Sequence, residues 1–138
     1  MTNVQQRSTI ELENTKVEIS KFEISGGVGE YHVMIHATHP EQTFEEQLNA
    51  VLDTYYSILE TKLQNACSVI KRYFLSDAAN QYETLMAIVP EAPACACSVV
   101  EQAPLNGTKI GLWVYLQEEI GAGTFSYGLY KVQHGAYT

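Results

Sequence analysis

Cations are scarce in this chain: eight lysines and arginines face sixteen acidic residues, only Arg7 and Arg72 are arginine, and the longest basic run is Lys71-Arg72. Phosphate neutralisation needs several clustered cations, so nucleic acid is not expected as a partner. The net charge of −8 favours solubility without naming a ligand. Cysteine is sparse and odd in number, with Cys67, Cys95 and Cys97. Because neighbours in a C-x-C strand rarely bridge each other, a disulfide framework is not expected. No window holds the roughly 18 apolar residues of a membrane span, and the polar first 15 residues, with Arg7, Glu11 and Glu13, lack the apolar segment of a secretory signal. A cytoplasmic location, with no membrane partner, is the expectation. Internal repeats and low-complexity linkers are also missing.

What remains is an ordinary globular composition, 46% hydrophobic and 17% charged over 138 residues. A single domain of this length buries roughly two thirds of its unfolded surface and needs no metal to fold. Residues 1–138 are therefore read as one domain, with residues 1–14 expected to be mobile. The chain ends at Tyr137-Thr138 without a polar tail, which is read as an N-terminal fragment of a longer protein.

Hydrophobic periodicity supplies the elements. Val17 and Ile19, then Phe22 and Ile24, alternate with a switch of parity, which predicts a strand over 10–24 with an irregularity near Ser20-Lys21. Gly26-Gly27-Val28-Gly29 reads as a hairpin turn into a second strand, with Tyr31, Val33, Ile35 and Ala37 on one face. Thr43 and Glu46 form a T-x-x-E capping box, and the stripe Leu48, Val51, Leu52, Tyr55, Ile58 predicts a long helix over 43–63. A third strand covers 67–75. Asn80-x-x-Glu83 predicts a short helix over 81–89, ended by Pro90 and Pro93. Residues 95–101 and 109–117 read as a strand pair joined by Pro104-Leu105-Asn106-Gly107. The second of these is apolar on both faces, which predicts a central strand. Residues 125–132 form a last strand-like run. Sequential strands with both helices free to pack on one side make an α+β sheet, not a doubly wound one.

Several residues carry conceivable chemistry. His32 and His36 share a strand face with His39 nearby, but the spacing fits no tight zinc motif and no metal is expected. Cys95-Ala96-Cys97 could offer a thiolate, which needs a neighbouring base or cation to form. Arg72 and Lys109 are the anion-binding candidates, against a plainer reading as surface ion pairs. Tyr55, Tyr56, Trp113, Tyr115, Tyr127 and Tyr130 suit core or subunit interface more than a ligand pocket. Glu45-Glu46 and Glu118-Glu119 are adjacent pairs that point apart, so no shared acid/base site is expected from them.

The helix 43–63, the step Tyr73-Phe74-Leu75-Ser76-Asp77-Ala78, the Pro93-Ala94 pair before a cysteine-containing strand, and the Lys109-Ile110 strand together resemble the RidA family. These are the YjgF-type reactive-intermediate deaminases, also called L-PSP endoribonucleases or translation inhibitors. The resemblance covers residues 43–117. It implies a chorismate-mutase-like mixed sheet with two helices on one face, and a homotrimer with small carboxylate-bearing ligands in clefts between subunits. In the family, an arginine after Pro-Ala grips the ligand carboxylate and a glutamate after Lys-Ile helps place the attacking water. The arginine position here is Cys95, or Ala96 in a register shifted by one, and neither can supply a guanidinium fork. The glutamate position is Gly111. A scaffold without catalytic residues and without a cofactor is therefore expected, with ligand-binding candidates Arg72, Cys95, Gly111 and His36. The alternative is an enamine or imine deaminase, or a chorismate-processing hydrolase, with an altered site. Endoribonuclease activity is disfavoured by the acidic charge.

Overall fold

A computed structural model describes residues 4–24, 28–89 and 95–119. Strands β1 (Val4–Glu11), β2 (Thr15–Ile24) and β3 (Val28–Ala37) are followed by helix α1 (Phe44–Thr61), β4 (Cys67–Leu75), helix α2 (Ala78–Ile88), β5 (Ala96–Glu101) and β6 (Ile110–Glu119). The six strands form one mixed sheet in the order β1-β2-β3-β6-β4-β5. Every pairing is antiparallel except β4 with β5, which run parallel across the α2 crossover. The expected α+β architecture is the one observed, and the run at 125–132 lies outside the described residues.

α1 forms where its cap dictates. Glu46 N–H donates to Thr43 Oγ1 at 3.1 Å and Thr43 N–H donates to Glu46 Oε1 at 2.9 Å, satisfying two otherwise orphaned donors. Its buried stripe of Leu48, Val51, Leu52, Tyr55 and Ile58 lies on Val17, Val33, Ile35, Leu112 and Val114 of the sheet. Two side-chain hydrogen bonds fix its placement, Thr15 Oγ1 to Thr54 Oγ1 at 2.7 Å and Tyr55 Oη to Ser68 Oγ at 2.6 Å. α2 adds Leu85, fully buried, to the same core. Both helices therefore cover one face of the sheet and leave the other uncovered by either.

β6 lies between β3 and β4, as its two apolar faces predict. Other details differ from the sequence reading. The segment 10–24 is two strands, because Ile10 belongs to β1 and the chain reverses over residues 12–14, with Leu12 N–H donating to Thr15 O. Residues 4–11, within the segment expected to be mobile, pair with β2 along its length. β2 carries no irregularity at Ser20-Lys21, since its register with β3 is continuous. The parity switch arises because Phe22 packs on the uncovered face, edge-on to His32 at 5.8 Å. The observed register shift falls in β4, between Ser68 and Ile70.

α2 starts at Ala78, three residues before the expected start, with Asp77 N–H donating to Gln81 Oε1 and no Asn80–Glu83 box. The Pro104–Gly107 turn exists, with Gly107 N–H donating to Pro104 O and Gly107 at φ 81°. It does not join a hairpin: β5 pairs with β4, and β6 inserts between β3 and β4. One polar atom stands out in the core. Tyr73 is fully buried and its hydroxyl has no hydrogen-bond partner among the described residues. Tyr73→Phe removes that atom without changing shape, so thermal unfolding should show stability unchanged or raised by up to about 1 kcal/mol. A clear loss would mean that the hydroxyl has a partner.

Candidate functional site

The uncovered face is built of cross-strand rows. Lys16 of β2 pairs with His36 of β3, His36 with Gly111 of β6, and Gly111 with Phe74 of β4. The neighbouring row runs Glu18, Met34, Trp113, Arg72 and Ser98 in the same order across the sheet. Gly111 is the one position of the first row without a side chain, and there the row opens into a hollow of about 490 Å3. Met34, Phe74 and Trp113 supply its apolar lining, Lys16, Glu18 and His36 its polar edge.

A loop makes the remaining wall. Residues 102–106 line the hollow, and Leu105 is fully exposed at the turn. The loop is tied down at several points. Asn106 Nδ2 donates to Ala37 O at 2.9 Å, its Oδ1 accepts from Thr108 N–H, and Gln102 N–H donates to Leu75 O. Beneath it lies Gln47, fully buried, which donates to the carbonyls of His39 and Gln42 and accepts from Lys109 N–H at 2.8 Å.

The electrostatics of the edge are simple. His36 Nε2 lies 2.9 Å from Glu18 Oε1. That hydrogen bond holds the Glu18 carboxyl below its usual range, helped by the nearby charges of His36, Lys16 and Arg7 and opposed by slight desolvation. Glu18 is therefore an anion at neutral pH, and its pairing with His36 is lost only as the medium becomes acidic enough to protonate the carboxylate.

The sequence candidates divide between the two faces. His36 and Gly111 meet in the hollow. Arg72 shares their face but lies over Trp113, 5.5 Å from the ring centroid, with Nε donating to Ser98 Oγ at 3.4 Å. Cys95 precedes β5 on the helix-covered side, near Lys71 and Tyr73, and does not line the hollow. Lys109 is occupied, since its ammonium donates to the carbonyls of Pro40 and Gln42 at 2.7 and 2.9 Å. The histidines do not converge: His39 bonds Glu13 O and Glu41, and His32 lies among Phe22, Trp113 and Tyr115. Among the described residues no three His, Cys, Asp or Glu side chains form a metal-ligand set. Lys16, Glu18, Met34 and Phe74 were not singled out by the sequence. The parity of β3 and β6 was the available signal for the face, but the register that brings Lys16 and Phe74 to either side of Gly111 is not local.

Burial pushes the Cys95 thiol up, only partly offset by the Lys71 charge, and pushes the Cys67 thiol up as well. In the folded protein both should alkylate more slowly with iodoacetamide at neutral pH than in the denatured chain, and the rate should climb as pH passes the ordinary thiol range. Rapid neutral-pH labelling of Cys95 would contradict this.

No family model matches the sequence, and no curated protein does. Among solved structures, a candidate translation initiation inhibitor from Salmonella typhimurium superposes with a TM-score of 0.54 over 83% of this chain and 97% of its own, at 17% identity. The fold is RidA-like. At that identity the likeness shows the fold alone, with its chorismate-mutase-like sheet and two covering helices. No helix among the described residues is long and apolar enough to cross a membrane.

Proposed function

We propose that this chain is a RidA-like binding module that takes a small carboxylate-bearing molecule in the hollow of the uncovered sheet face and does not perform the family's deamination. The observation that carries this reading is the row Lys16–His36–Gly111–Phe74, in which a glycine opens the hollow where an acid would stand in an active deaminase. Without a carboxylate at that point, no described side chain at the floor orients a water for attack on an imine, and the Glu18 carboxylate stands at the edge, engaged by His36. No arginine lines the hollow, so the bidentate grip expected of a deaminase is missing there too.

The uncovered face supports the proposed homotrimer. Phe22, His32, Trp113 and Tyr115 form an aromatic group on it, half-buried within one chain. Sheet faces of this composition are stabilised by packing against another sheet. A neighbouring copy would border the hollow and turn it into an inter-subunit cleft.

The test is hydrolysis of enzymatically generated aminoacrylate, followed as ammonia release, alongside a native mass spectrum. The expected result is no acceleration and a trimer. Ammonia release at a rate comparable to an active deaminase would overturn the binding-module reading in favour of an enzyme with an altered site. A spectrum containing only monomer would remove the inter-subunit cleft.

A further inference from the structure

Two opposite charges stand side by side at the edge of the hollow without pairing with each other. Lys16 and Glu18 are two residues apart on the same face of β2, so their Cα atoms lie about 6.6 Å apart. Among the described residues, no ion pair within 4.0 Å engages Lys16. Glu18 commits Oε1 to His36. A carboxylate can only accept, so His36 Nε2 carries the hydrogen, and among the described residues Glu18 Oε2 has no donor of its own and is open to one. Just inside this charged pair lie the side chains of Met34, Trp113 and Phe74.

Resting on the binding reading above, we infer that the ligand is a zwitterionic α-amino acid with a large apolar side chain. Its carboxylate meets Lys16, its ammonium meets Glu18, and its side chain enters the space over Gly111 against Trp113, Met34 and Phe74. A ligand with a single charge satisfies one edge residue and is repelled by the other. A neutral apolar ligand leaves both unmatched. An α-amino acid carries both charges on one carbon, with its apolar group pointing away from them. That is the same arrangement as two neighbouring charges above an apolar floor.

The chain's single tryptophan, Trp113, lines the hollow and reports occupancy directly. The probes are L-phenylalanine, phenylpropionate and phenethylamine, which share a ring and carry both charges, the negative one or the positive one. All are titrated against Trp113 emission, excited where the probes do not absorb. Phenylalanine is expected to bind roughly two- to fivefold more tightly than either single-charge probe, the range for one partly exposed ionic contact. Lys16→Met should erase its advantage over phenethylamine, and Glu18→Gln its advantage over phenylpropionate. Both residues are at the surface edge, and thermal melts confirm that each variant folds. Phenylpropionate or phenethylamine binding as tightly as phenylalanine to the unaltered protein overturns the zwitterion while leaving a ligand-binding hollow. Silence of Trp113 toward all three probes overturns the binding reading itself, and the inference with it.

Discussion

Gln47→Ala should cost the fold roughly 3 kcal/mol, because it strands backbone groups as well as leaving a cavity. Gln47 is fully buried at the first turns of α1. Its amide donates to His39 O at 3.1 Å and Gln42 O at 2.9 Å, and its Oε1 accepts from Lys109 N–H at 2.8 Å. One side chain thus satisfies three backbone groups from two distant segments, the approach to α1 and the entry to β6. A buried backbone group with no partner costs about 1–3 kcal/mol, and the total stays below the simple sum because Gln42 O keeps the Lys109 ammonium as a donor at 2.9 Å. Gln47→Glu is a sharper control. It keeps an oxygen for Lys109 N–H but turns an acceptor toward two carbonyls, so it should be at least as damaging as alanine. Urea unfolding of both variants decides the matter, and a loss below about 1 kcal/mol for alanine would show that these hydrogen bonds are replaced by solvent. Because Gln47 anchors the residue after the 102–108 loop, ligand affinity should fall along with stability.

None of that anchor was visible in the sequence, where Gln47 is one polar residue inside a helix stripe. The features that were legible are those with a local cause. The Thr43–Glu46 box fixes the start of α1 by two hydrogen bonds three residues apart, and the apolar stripe needs only the 3.6-residue period. The central place of β6 followed from Trp113 and Tyr115 sharing a strand with Leu112 and Val114. The failures share a different cause. Pro104-Leu105-Asn106-Gly107 forms the turn its residues demand, yet which strands flank it depends on pairing set far away in sequence. The polar run of β1 offers no alternation, and its order comes from its pairing with β2 and from Ile10 packing on the core. Cys95 and Gly111 are both positions the resemblance places at a ligand site, but residue parity sends Cys95 to the helix side and Gly111 to the uncovered side. Sequence could nominate His36 and Gly111. Only the register of β2, β3, β6 and β4 could put Lys16, His36, Gly111 and Phe74 in one row.

The test of that row is Gly111→Val, expected to reduce binding of any probe in the hollow by at least about tenfold while leaving the fold intact, since a filled pocket loses most of the apolar contact that holds a small ligand. A Cβ at this position comes within 3.0 Å of Met34 Cε and 3.8 Å of Ile35 O. The close neighbour is the tip of a flexible thioether side chain, which can turn aside at modest cost. Gly111 is not at positive φ, so the backbone does not demand glycine, and a β-branched residue in a central strand regains about 0.5–1 kcal/mol of the entropy that glycine forfeits. Stability should therefore change little in either direction. The side chain projects between His36 and Phe74, into the space that distinguishes this row from its neighbours, and the displaced Met34 tip narrows it further. Gly111→Ala should give an intermediate loss, and the order glycine, alanine, valine in affinity at nearly constant melting temperature is the expected signature. Unchanged affinity in the valine variant would place the ligand elsewhere on the molecule. A large drop in melting temperature would show instead that Met34 cannot move, and that glycine is kept at this position by packing rather than by the space it leaves open.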